Sequence, residues 1–188
     1  MIKKTFKAFI FFAVLQVLIF SCCSNTYNVY YESVNFYAYD RIDLDASSVA
    51  VEDLELSLNF LFDYIQISQL EEIKQLSNSA YATSCDDEYF YRDTVLNVNI
   101  SSNEEIFNVD PGESLNEFIL FINPNTLEQE PLEEMIVFIN NNKGYSTSPL
   151  TMVFNETLQS DITLNFTINI ELDRNRSLES TTDLITIE

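Results

Sequence analysis

The chain has 188 residues, 30 acidic against nine basic, a formal charge of −21 and no histidine or tryptophan. A surface this acidic repels nucleic acid and anionic lipid, so no nucleic-acid partner is expected. Without histidine there is no Ser-His-Asp or Cys-His pair and no imidazole ligand for a transition metal. Gly112 and Gly144 are the only glycines, too isolated for a phosphate-cradling loop. No cofactor is expected.

The chain opens on Lys3, Lys4 and Lys7, followed by an apolar stretch over residues 8–20 broken only by Gln16. Thirteen residues fall short of the roughly 20 needed to span a bilayer, which reads as a secretory signal. The stretch ends Ile19-Phe20-Ser21-Cys22, which resembles a bacterial lipobox. That resemblance implies cleavage before Cys22, acylation of Cys22, and a membrane held through the lipid as first partner. Phe20 departs from the small residue usual at its position. The expected organisation is a signal peptide over 1–21, a lipidated tether over 22–28 and a single domain over 29–188. Removing three lysines with the signal takes the formal charge to −24, from the 30 acidic residues and Arg41, Lys74, Arg92, Lys143, Arg174 and Arg176.

Val, Tyr and Phe content predicts a strand over 29–38. Asp40, Asp43 and Asp45 follow, with Glu52 and Asp53 beyond, and Asp86-Asp87-Glu88 lies further on. Either group offers hard oxygens for Ca²⁺, without EF-hand spacing; the competing reading is solvated acidic loops. Leu54, Leu56, Leu58, Phe60, Phe62 and Tyr64 alternate along one long strand, and Leu96, Val98 and Ile100 along a shorter one. Between them, Ser68-Gln69-Leu70-Glu71 matches a capping box and starts a short helix. Asp93-Thr94-Val95 resembles the O-glycosylation motif of Bacteroidetes and would place Thr94 on an exposed site.

A second capping box, Ser114-Leu115-Asn116-Glu117, with Leu115, Phe118, Ile119 and Ile122 at helical spacing, predicts another helix. Residues 131–139 fit a third, with Pro131 at its start, Glu133 and Glu134 in its first turn and Gly144 beyond its end. The compact apolar run 135–139 also fits a strand; the helix is preferred. Residues 151–154 read as a strand, and 140–149 as a polar loop.

The strictest alternation runs from Ile162 through Leu164, Phe166, Ile168, Ile170 and Leu172. It predicts one half-buried strand, turned at 173–177 into a second strand over 182–188 as a closing hairpin. The fold class is therefore mainly β: an antiparallel immunoglobulin-like β-sandwich with two or three short helices in the connections.

Ser21-Cys22-Cys23-Ser24, the aromatic strand after it, the lone internal Cys85, the stretch 110–116 beginning Asp110-Pro111-Gly112 and the paired terminal strands together resemble a family type. It is that of the small, acidic, Asn- and Tyr-rich envelope lipoproteins of Bacteroidetes, many of unknown function. The resemblance implies an outer-membrane lipoprotein, on the periplasmic face or the cell surface, and carries no catalytic residues. An acidic cluster after the lipid cysteine, the usual surface-export signal of that group, is absent.

Envelope compartments are oxidising, so Cys23 is expected to bond Cys85 if Cys22 carries the lipid. In the competing reading Cys23 is itself acylated, or too near the lipid, and Cys85 is free. Function reduces to two classes. One is a non-catalytic adhesion, assembly or binding module; the other is a carbohydrate- or Ca²⁺-binding accessory lipoprotein, for which the Tyr-rich strand, with Tyr37 and Tyr39 opposite Phe36 and Ala38, would supply an aromatic surface for a glycan or protein partner.

Overall fold

The computed structural model describes residues 25–42, 48–50, 53–67, 87–144 and 149–188. The chain divides into two compact units. The smaller takes in, among the described residues, 25–29, 64–67 and 87–90; the larger takes in 30–63 and 91–188.

The protein is mainly β. Its strands are β1 (Thr26–Asp40), β2 (Ser48–Val49), β3 (Leu54–Gln66), β4 (Glu88–Tyr91), β5 (Val95–Ser102), β6 (Ile119–Ile122), β7 (Gln129–Pro131), β8 (Leu150–Phe154), β9 (Ile162–Leu164), β10 (Phe166–Leu172), β11 (Arg176–Thr181) and β12 (Ile185–Ile187), with one helix, α1 (Leu132–Asn141), among the described residues. They form a six-stranded sheet in the order β4-β1-β3-β8-β6-β7 and two three-stranded sheets, β11-β10-β5 and β2-β12-β9. Pairing is antiparallel at β10 with both neighbours, at β8 with β3 and β6, at β6 with β7 and at β9 with β12, whereas β2 and β12 run parallel.

In the larger unit one buried cluster draws on all three sheets and on α1: Leu56 and Leu58 of β3, Phe121 of β6, Met135 of α1, Met152 of β8, Ile168 and Ile170 of β10 and Ile187 of β12. The helix expected over 131–139 forms and runs two residues further. Pro131 stands just before it, Glu133 and Glu134 occupy its first turn, and Leu132, Met135, Phe138 and Ile139 are buried. Proline and acidic residues suit a helix start because the first N–H groups have no acceptor behind them. The helix takes in Asn140 and Asn141, so the polar loop expected from 140 begins after Asn141.

Four expectations are corrected. The helix over 114–122 is instead a single 3₁₀ turn, Asn116–Phe118, followed by β6. Ser114 Oγ accepts from Asn116 N–H at 3.4 Å rather than from the third residue's N–H, so the capping box does not close. The apolar run 118–122 suits a strand equally, and pairing with β7 and β8 decides for it, burying Ile119 and Phe121 while Leu120 and Ile122 face the other way. Helix count falls accordingly, and the helix expected from Ser68 lies outside the described residues.

Second, Leu96 is 60% exposed although Val98 and Ile100 are buried. The register against β10 shifts between Glu171 and Leu172, which pairs with Val95. This bulge exchanges Val95 for Leu96 on the core face.

Third, the alternating stretch 162–172 is two strands in different sheets. All its apolar side chains still face inward, but the ladder breaks at Asn165. Its N–H donates to Asn103 Oδ1 at 2.7 Å and its carbonyl accepts from Asn103 N–H, while Phe166 N–H donates to Thr182 Oγ1 at 3.0 Å. Side chains thus satisfy the backbone groups that leave the ladder.

Fourth, the hairpin partner of β10 is β11, not 182–188. The turn 173–175 is short because Arg174 and Asn175 both take positive φ, and the last segment, β12, pairs with β9 instead.

Candidate functional site

Two polar constellations lie in the larger unit. The first is buried. Asp93, in the link between β4 and β5, has a side chain only 1% exposed, and its Oδ2 accepts from Arg176 Nη1 at 2.8 Å and from Tyr31 N–H at 2.8 Å. Arg176 Nη2 donates to the Tyr31 carbonyl at 2.6 Å. Lys143, just past α1, donates to the Asp93 carbonyl at 3.0 Å and to Thr94 Oγ1 at 3.3 Å.

Along β1 the buried set passes from Val29 and Tyr31 to Val34 and Phe36, a change of phase that breaks regular alternation after Tyr31. Both peptide groups of Tyr31 therefore find their partners in an ion pair. Carboxylate and guanidinium together offer one acceptor and one donor, as a neighbouring strand would. Asp93 Oδ1 has no hydrogen-bond partner. Burial first, and then the Asp93 carboxylate, push the Tyr31 phenol up to about 12.

The second constellation is an open cleft of about 280 Å³ at the β1 C-terminus, lined by Arg41, Glu55, Gln129, Asn155, Glu156 and Thr157 around Leu54, Val153 and Phe154. β3 and β8 present it through Glu55 and Val153, paired across the ladder on the face opposite Leu56 and Met152. Arg41 is fixed twice to Asp53, by Nη2 to Oδ1 at 2.9 Å and by its N–H to the Asp53 carbonyl at 2.9 Å. Beside it, Tyr39 donates to Glu55 Oε2 at 3.2 Å; burial and then the Glu55 charge raise the Tyr39 phenol above its ordinary value. The cleft therefore holds one guanidinium, two carboxylates and two amides, an array of donors and acceptors suited to hydroxyl-rich ligands. No histidine exists to serve it as a base.

Among the residues expected to act, Asp40 turns its Oδ1 onto Ile42 N–H at 2.6 Å. Asp43 and Asp45 lie outside the described residues, as do Cys22, Cys23 and Cys85. Among the described residues, no three acidic or cysteine side chains group as a metal site. Thr94 is half-buried, its hydroxyl held by Lys143 and its backbone by Asp173. Tyr37 is exposed and Phe36 buried, while Tyr39 is half-buried with its hydroxyl on Glu55.

Sequence reading missed both constellations. A signal for the first was present: in a chain so poor in cations, Lys143 and Arg176 had to be placed. Arg41, Lys143, Arg174 and Arg176 bond carboxylates or backbone carbonyls within the fold.

Among the described residues no helix is long and apolar enough to cross a membrane. The fold and clefts define a class, a mainly β protein with antiparallel-rich sheets and a polar surface cleft. The chain matches no protein-family model, no curated protein and no solved structure.

Proposed function

We propose that the chain is a non-catalytic, lipid-anchored binding module of the bacterial envelope, of the Bacteroidetes lipoprotein type, on an immunoglobulin-like β-sandwich scaffold. The observation that carries this reading is the fate of the chain's most enzyme-like group. The Oδ2 of Asp93, a buried carboxylate paired with a guanidinium, is engaged in holding Tyr31, and an open polar cleft is the surface for interaction. Anchoring follows from Ile19-Phe20-Ser21-Cys22 at the end of the apolar leader. The resemblance to envelope lipoproteins supports a position at the outer membrane, on the periplasmic face or the cell surface.

Intact mass of membrane-extracted protein tests the anchor: fatty-acyl additions on a chain beginning at Cys22 are expected, and an unmodified chain in the soluble fraction would sink it. The cleft favours one second reading, a carbohydrate-binding accessory lipoprotein, because Gln129, Asn155, Glu55 and Glu156 match the donors and acceptors of a neutral sugar. Titration with neutral oligosaccharides separates the two. Shifts confined to the cleft residues and lost in Asn155→Ala support sugar binding; none leaves a protein partner.

A further inference from the structure

Six of the described strands end the three sheets, and their edges are not treated alike. β2, β7 and β9 are two or three residues long, β7 with Pro131 in it, and β4 has four residues. β5 is longer but closed, because the side chains of Asn116 and Asn140 and the N–H groups of Leu115 and Gly112 bond its outward peptide groups. β11, at the opposite edge of the same sheet, runs six residues in unbroken register with β10, from Arg176 against Leu172 to Thr181 against Thr167. It carries no proline, lysine or bulge, the usual devices that keep a sheet edge from pairing.

Hydrogen bonding fixes which groups β11 offers. Thr182 N–H donates to the Phe166 carbonyl at 2.9 Å, one step beyond the Thr167–Thr181 pair. Bonded and unbonded pairs alternate along an antiparallel ladder. Leu178 and Ser180 therefore turn their peptide groups to β10, and Ser177, Glu179 and Thr181 turn theirs away from the sheet. Those three residues are exposed, and among the described strands β10 is the one neighbour of β11. Glu171 stands across from Ser177 and shares the solvent face with Glu179, whose Oε2 accepts from Asn169 at 3.5 Å. Among the described residues no basic side chain pairs with either glutamate. The arginines nearest in sequence are committed elsewhere, Arg176 to Asp93 and the Tyr31 carbonyl and Arg174 to the Arg92 carbonyl.

We infer that β11 takes an extended segment of a partner chain as an antiparallel fourth strand, with basic side chains on the face that carries Glu171 and Glu179 and apolar ones on the face of Leu178. Main-chain bonds to Ser177, Glu179 and Thr181 hold the segment, and its alternate side chains give selectivity. Leu178 is 8% exposed, so an apolar neighbour beside it extends the core by one strand. Charge decides between occupants. In every register that pairs two or more of the outward residues, a second copy sets Glu179 opposite or diagonal to its own counterpart, and like charges so placed oppose pairing. Each copy also brings a formal charge of −21. The inference needs neither the lipid anchor nor the cleft.

The probe is a short blocked peptide of alternating lysine and valine, added to the full chain at low salt, with amide hydrogen exchange read residue by residue. The N–H groups of Ser177, Glu179 and Thr181 are expected to exchange freely in the protein alone and about tenfold more slowly with the peptide, whereas those of Leu178 and Ser180 are protected throughout. Residues opposite the outward groups share the face of Glu179 and use their own N–H, so N-methylation at the lysines abolishes binding and N-methylation at the valines does not. Glu179→Lys, qualified by an unchanged urea midpoint, should weaken binding about fivefold. Equal binding of a glutamate–valine peptide, undiminished binding to Glu179→Lys, protection by the lysine peptide at other residues, or no binding at all overturns the proposal. None of these touches the acyl mass or the sugar titration that test the binding-module reading. Protection of the three N–H groups that rises with protein concentration alone shows a second copy on this edge, and also overturns the proposal.

Discussion

Arg176→Ala is expected to cost more than its 39% side-chain exposure suggests. Removing the guanidinium leaves the Asp93 carboxylate, 1% exposed, with one N–H donor and with an oxygen already unpartnered. An uncompensated buried charge is worth about 3–5 kcal/mol. Water reaches the outer part of the Arg176 site, so the lower end, about 3 kcal/mol, is the expected loss. Asp93→Ala frees a guanidinium that can turn to solvent, but it orphans the Tyr31 N–H, which alone costs about 1–3 kcal/mol.

The two losses overlap. The double variant should therefore fall about 2 kcal/mol short of the sum of the singles. Arg41 and Asp53 supply the contrast: with Arg41 61% exposed, their coupling should stay below about 1 kcal/mol. Urea unfolding reads these values as midpoint shifts at constant slope, about 1.5 M for Arg176→Ala at a slope of about 2 kcal/mol/M. An Arg176→Ala loss no larger than that of Arg41→Ala, or strict additivity of the double variant, refutes the idea that the ion pair stands in for a strand at Tyr31.

Gly144 and Gly112 both take positive φ, yet a Cβ on Gly144 would collide with the Tyr91 ring and hydroxyl while one on Gly112 meets nothing within 4 Å; Gly144→Ala should lose about 3 kcal/mol and Gly112→Ala about 1 by thermal unfolding. The Tyr31 phenol, raised from 10.0 to about 12, stays neutral in the fold where the unfolded chain would ionise. Its contribution is intact below pH 10 and declines as pH rises toward 12, by up to about 3 kcal/mol in total; Tyr31→Phe should flatten the stability curve in that window, and an unchanged alkaline slope contradicts the assignment. Leu96→Asn, at the bulge, should leave stability to urea nearly unmoved, whereas Val98→Asn should lower it by about 2–4 kcal/mol. Asn116→Asp keeps an acceptor for Ile100 N–H but loses the donor to the Val98 carbonyl, for a loss of about 1–2 kcal/mol with proton exchange at Ile100 as the local reporter.

Strand positions were legible wherever one face met the core. Ile162 to Leu172 alternate in sequence and in burial alike, and Leu54 to Phe60 do so except at Ser57, which is buried too, because a one-residue slip would expose the whole apolar set. What alternation does not encode is the partner. The same inward face continues across Asn165 while the strand changes sheets, so periodicity alone reads one element where hydrogen bonding makes two. At Leu96 the bulge inverts the pattern for one residue, and only the register with β10 reveals it. Residues 118–122 were ambiguous for a different reason: five consecutive apolar residues fit both periods, and the pairing of Leu120 with Val153 and Pro131 decides. The cleft was illegible because its lining comes from strand ends far apart in sequence and consists of residue types common on any acidic surface.

The abundance of asparagine, a matter of style in the sequence, acquires a physical role along β5. That strand is the edge of its sheet, and an unpaired edge invites pairing with another chain. Here Asn140 of α1 accepts from Val95 N–H at 2.9 Å and donates to its carbonyl at 2.8 Å. Asn116 donates to the Val98 carbonyl at 2.7 Å and accepts from Ile100 N–H at 3.0 Å. The N–H groups of Leu115 and Gly112 complete the row on the carbonyls of Ile100 and Ser102, at 2.8 and 2.9 Å. A carboxamide carries one acceptor and a donor in one plane, as a peptide group does, so a single side chain substitutes for a residue of a missing strand. Aspartate lacks the donor and cannot do this; charge repulsion on an acidic surface adds to the case for a neutral amide. Asn103 at the break after Leu164 does half of this with its side chain, its Oδ1 accepting from Asn165 N–H while its own backbone N–H donates to the Asn165 carbonyl. The same chemistry, with Asp93 and Arg176 dividing acceptor and donor between them, serves the interior position at Tyr31, where burial makes the stronger charged pair necessary to hold both peptide groups.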